Sequence, residues 1–174
     1  MSHEIKPLYG QGTFVVCENG YITQEVVFDY IDEGLHYWNL LSHEDRLNEE
    51  LNSIVDNMQS FIDEEVVKIN GKRVFPKING VDLGFRGLES RPYIKFYISF
   101  KGELRRGLNV YEDLYEPEYV EYDYTVTWIF TGNLKVLRAY FGVEYDVLAD
   151  GKIIIFSMPK GSNTPGYEKI EFKL

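Results

Sequence analysis

The run Tyr119-Val120-Glu121-Tyr122-Asp123-Tyr124-Thr125-Val126-Thr127-Trp128-Ile129-Phe130 decides the fold. Val120, Tyr122, Tyr124, Val126, Trp128 and Phe130 alternate with mostly polar neighbours, so an extended chain puts them all on one side. A strand with one apolar and one polar face belongs to antiparallel sheet, because parallel strands are covered on both faces and lack the alternation. Residues 93–100 repeat the pattern with Ile94, Phe96, Ile98 and Phe100. Residues 137–147 repeat it with Leu137, Ala139, Phe141, Val143, Tyr145 and Val147.

Toward the C-terminus, Asp150-Gly151 turns the chain into a strand at 152–156. A loop rich in Pro, Gly, Ser and Asn follows, and Ile170, Phe172 and Leu174 mark a last strand. Toward the N-terminus, Lys68-Ile69-Asn70-Gly71 recurs as Lys77-Ile78-Asn79-Gly80. Asn-Gly accepts positive φ at both positions, so each copy predicts a tight hairpin. Over 42–63 the period lengthens, and Leu47, Leu51, Ile54, Val55, Met58, Phe61 and Ile62 form one helix face. Ser42 is the expected cap of this helix, with Glu44 and Asp45 where its dipole favours acid. Strands at 13–17 and 21–30 flank Glu18-Asn19-Gly20 as a further hairpin, while 31–41 fits a helical turn or a strand equally well.

A helix about 10 Å across covers roughly two strands spaced about 4.8 Å apart, and the pattern gives about eight to ten strands. One helix cannot cover such a sheet. The expected class is α+β: a curved, mainly antiparallel sheet, half-barrel or two-layer, with one long helix packed on it. A single domain over 1–174 is expected, made of an N-terminal hairpin (1–31), the helix (42–63) and antiparallel strands (65–174). Sheet left uncovered would bury itself against another subunit, so a homodimer is one expected assembly.

With 28 acidic residues against 18 Lys and Arg, the chain carries a formal charge of −10. That charge repels nucleic acid and anionic membranes and favours a basic partner. Cys17 is the only cysteine and has no disulfide mate, and Met1-Ser2-His3-Glu4-Ile5-Lys6 lacks the features of a signal peptide. The longest apolar runs, such as Ile153-Ile154-Ile155-Phe156, fall far short of the roughly 20 residues of a membrane helix. The expectation is a cytoplasmic protein without membrane contact.

Residues 111–124 hold six acids and five tyrosines, and no Lys or Arg occurs between Arg106 and Lys135. Ring faces and carboxylates both attract cations, so Tyr111, Glu112, Asp113, Tyr115, Glu116, Glu118, Glu121 and Asp123 are the expected surface for a basic partner protein. One version of that role is mimicry of nucleic-acid charge. The competing expectation is a small-molecule-binding protein or enzyme whose curled sheet encloses Glu121, Asp123, Arg138, Glu144 and Asp146. No catalytic motif, cofactor motif or metal-ligand spacing is present. His36 and His43 beside Glu44 and Asp45 match no zinc pattern, and Cys17 reads as a small packing residue.

Overall fold

The computed structural model describes residues 4–174. Met1, Ser2 and His3, half of the hexapeptide read above for a leader, lie outside the described residues. Strands β1 (Lys6–Val16) and β2 (Tyr21–Ile31) form the first hairpin, turning at Gly20 with a φ of 82°. Helices α1 (His36–Leu40) and α2 (Glu44–Glu64) follow. Ten more strands complete the described chain: β3 (Val66–Ile69), β4 (Lys72–Arg73), β5 (Lys77–Phe85), β6 (Pro92–Lys101), β7 (Leu108–Leu114), β8 (Asp123–Phe130), β9 (Lys135–Tyr140), β10 (Tyr145–Leu148), β11 (Ile153–Met158) and β12 (Tyr167–Lys173).

The strands form two sheets, one of seven in the order β10-β11-β8-β1-β2-β6-β5 and one of five in the order β4-β3-β7-β12-β9. Among the described residues the pairings are antiparallel except β1 with β8, which run parallel from Tyr9↔Asp123 to Val16↔Phe130. The fold is α+β, with one long helix and two open sheets that do not close into a barrel.

One face of the large sheet is covered in two parts, which answers the covering problem posed by the sequence. Ile22, Phe100, Trp128, Phe130, Ile154 and Phe156 pack against Val67, Ile69, Tyr111, Ile170 and Phe172 of the small sheet. Farther along β2 and β6 the same face offers Val26, Phe28, Ile94, Phe96 and Ile98, and α2 lays Leu47, Ile54, Val55, Met58 and Ile62 on them. The opposite face of the large sheet carries Gln11, Thr23, Tyr97 and Ser157, all exposed.

Several local expectations change. The cap of α2 is His43, with no side-chain hydrogen bond, and Ser42 instead donates its amide to Asn39 O. Phe61 leaves the helix face and is 63% exposed. The first Asn-Gly pair turns between β3 and β4 with φ of 51° at Asn70 and 78° at Gly71, as a type I′ hairpin requires. The second lies inside β5, where a bulge falls between Ile78 and Gly80. There Gln59 on α2 accepts the Ile78 amide, and Asn79 bonds Ser99.

The strand expected over 119–130 begins only at Asp123. Its first part pairs instead with the loop before β12, through the bridge Tyr119↔Asn163 and the bond from Val120 N to Ser162 O. The alternating run 137–147 is divided between the two sheets. Gly142, with a φ of 75°, turns the chain there, and a Cβ on it would sit 2.9 Å from Pro165.

Candidate functional site

The acidic run at 111–124 is split by its strand geometry. Along β7, Asn109, Tyr111 and Asp113 face the large sheet, whereas Glu112 faces outward and accepts a hydrogen bond of 2.8 Å from the Tyr167 hydroxyl. Directly opposite Asp113 stand Glu168 on β12 and Val67 on β3. Glu168 lies two positions before the core residue Ile170, and Glu65, at the end of α2, lies two before Val67. Three carboxyl groups therefore gather at one end of the core-facing side.

Their electrostatics follow from that position. Burial, reinforced by Asp113, Glu168 and Glu118, pushes Glu65 up to about 8. Burial together with Asp113 pushes Glu168 up to about 7, against a bond of 3.1 Å donated by Tyr115. Burial raises Asp113 to about 6, opposed by the Tyr111 hydroxyl at 3.4 Å. Asp113 Oδ1 is buried and accepts no hydrogen bond from the described residues. Tyr111, Tyr115 and Tyr124 ring the cluster, and burial raises all three phenols. Arg73 is nearby in the chain, yet its guanidinium bonds the Asp63 and Glu65 carbonyls and stacks on Phe75. Among the described residues, no Lys or Arg forms an ion pair with Glu65, Asp113 or Glu168.

The other expected partner-binding residues surround this cluster unevenly. Tyr111 is 3% exposed and belongs to the core. Tyr115 is half-buried on Glu168, while Glu116, Glu118, Glu121 and Asp123 are exposed. Thr164 accepts the Glu118 amide, and Asp123 accepts that of Lys160, so two loops are pinned side by side. Of the five residues expected in a cavity, Glu144 and Asp146 line one groove, Arg138 pairs with Glu171 on the outside of the small sheet, and Glu121 and Asp123 lie apart from both.

Glu65 and Glu168 were missed, although the alternation held the signal. Once Ile170 and Phe172 are assigned inward, Glu168 must face inward too, and Val67 fixes Glu65 likewise. His36 approaches Glu50 at 3.9 Å, and among the described residues no group of three or more His, Cys, Asp or Glu is placed to hold a metal.

No protein-family model matches the chain, and no curated protein does. Solved structures similar at a distance include the following two. One, described as a putative protease from Parabacteroides distasonis, gives a TM-score of 0.39 at 9% identity, over 100% of this chain and 41% of that one. The other, an M1 zinc metallopeptidase from Deinococcus radiodurans, gives 0.41 at 9% identity, over 98% and 42%. This chain spans about two fifths of the length of either.

Proposed function

We propose that this chain is a noncatalytic binding protein of the cytoplasm that docks a basic partner on its acidic, tyrosine-rich end. One observation carries the reading: Glu65, Asp113 and Glu168 crowd together largely buried, with no Lys or Arg paired to them among the described residues. An arriving ammonium or guanidinium group relieves their mutual repulsion and meets the tyrosine rings, while the exposed Glu116, Glu118 and Glu121 attract it from a distance.

Proton release is the test. A cation bound at the cluster lowers the carboxyl pKa values, so at pH 7 Glu65 and Glu168 shed protons on binding. Calorimetric titration with an oligo-arginine peptide in two buffers of different ionisation enthalpy reads that release directly. The expected result is net proton release together with an affinity that falls with salt. Binding with no proton exchange, or affinity indifferent to salt, would sink the reading.

The alternative, a small-molecule-binding protein or enzyme with a polar cavity, has less support, because of its five candidate residues only Glu144 and Asp146 share a groove. A homodimer through the open face of the large sheet would appear as a doubled mass in the same calorimetric samples.

A further inference from the structure

A second feature sits beside the carboxyl cluster. Where β9 ends at Tyr140, the chain crosses from the small sheet to the large one and opens a groove of about 870 Å³ between the two sheet edges. Buried Phe156, under the stacked ring of Phe141, gives it a floor, and Tyr140, Glu144, Tyr145 and Asp146 stand around it. Tyr140 lies opposite Lys169 and its ring is 6.2 Å from that of Tyr167, so the groove begins one strand away from Glu168.

We infer that this groove receives an extended, lysine-bearing segment of the basic partner, its ammonium group held between the Tyr140 ring and the Glu144 and Asp146 carboxylates. This rests on the interaction reading above and says which part of the partner is gripped and where.

Charge complementarity identifies the occupant. The lining includes two carboxylates and no Lys, Arg or His. Nearby acids elsewhere are neutralised, Asp150 by Lys135 and Glu171 by Arg138 and Lys169, whereas Glu144 and Asp146 form no ion pair among the described residues. Tyrosine faces beside carboxylates make the environment that recognises alkylammonium groups. The shape favours a chain over a small molecule, since the groove is open along its length, unlike the enclosed pockets that bury small ligands. Moreover, β10 pairs with residues 153–156 of β11, which leaves Ser157 and Met158 without a strand on that side among the described residues. An extended segment finds free main-chain groups there.

The test uses the peptide acetyl-Ala-Lys-Ala-Lys-Ala-amide, followed by amide chemical shifts of the whole chain at low salt. Shifts centred on residues 140–146 and 155–157 are expected, with at least about tenfold weaker binding in the Glu144→Gln/Asp146→Asn variant. A variant with Glu49→Gln, exposed on α2 away from both acidic regions, should bind nearly as well as the parent, and the same peptide with acetylated lysines should not bind. If a Glu116→Gln/Glu118→Gln variant loses the peptide while the groove variant keeps it, the groove assignment fails and the interaction reading stands. Equal binding of the acetylated peptide also overturns the assignment. So does spermidine binding in the groove where the peptide does not. Failure of the interaction reading itself shows separately, as missing proton release at the carboxyl cluster.

Discussion

Asp113 on β7 and Glu168 on β12 stand directly opposite each other on the side of the small sheet that faces the core. Like charges in that relation repel, and with little water between them the cheapest relief is to keep protons. Glu65 adds a third carboxyl to the same volume.

Stability should therefore fall as the pH rises from 5 to 8. The folded chain holds protons on Asp113, Glu168 and Glu65 up to about 6, 7 and 8, where the unfolded chain has already released them. Their contribution is full below about pH 4 and is lost as the pH climbs through those values. Glu171 acts in the opposite sense. Hydrogen bonds from Arg138 and Lys169 hold it at about 2, so its contribution is present above about pH 4.5 and lost as the pH falls toward 2. Urea melts across the range should peak near pH 4, and a profile that keeps rising to pH 8 would contradict the cluster.

Asp113→Asn should stabilise the protein by about 1–2 kcal/mol at pH 8 and change little at pH 3.5. The amide keeps an oxygen for the Tyr111 hydroxyl and removes the charge that meets Glu168 and Glu65. Destabilisation at both pH values would show that the ionised carboxylate is needed in the folded state.

Gly142→Ala should cost roughly 1–3 kcal/mol, since alanine there meets both a φ of 75° and the Pro165 ring. A thermal melt measures the cost, and amide shifts limited to the neighbourhood of residues 140–146 would confirm that the crossing between the sheets is where it arises.

Trp128 stacks on Phe14 with ring centroids 3.9 Å apart and is 1% exposed, yet its indole N–H has no acceptor among the described residues. Trp128→Phe gives up ring area but also removes an unpaired buried donor, so its cost should stay near 1–2 kcal/mol, against about 3–5 kcal/mol for Trp128→Ala. Equal losses in the two variants would mean that the N–H has a partner, such as a buried water.

The core faces were legible because alternation is a local property. Ile94, Phe96, Ile98, Trp128, Phe130, Ile170 and Phe172 were all assigned by it and all are buried, whereas Leu137 and Val147, assigned to the core face by the same rule, are 57% and 47% exposed. What alternation cannot express is which sheet a strand joins. Residues 137–147 keep their period through Gly142, so nothing in the pattern separates β9 from β10, and only the backbone turn does. The second Asn-Gly pair misleads for a related reason: turn propensity gave way to a bulge supported by Gln59 and Ser99, residues distant in sequence. The carboxyl cluster draws on α2, β7 and β12, so no window of sequence contains it. A strict parity count from the core residues would have reached all three members.

The parallel pairing of β1 with β8 bears on how the molecule is made. Tyr9 bonds Thr125, 116 positions later, and the strand order places β8, β10 and β11 all on the far side of β1. As the chain leaves the ribosome, β1, β2, β5, β6 and α2 can assemble at once around Phe96 and Ile98. The exposed edge of β1 then has to wait for the second half of the chain. Such long-range closure is slow, and the half-built intermediate carries an unpaired strand beside bare apolar surface. Synthesis is thus the stage at which this protein most depends on chaperones, and a translational pause before β8 would lengthen that exposure.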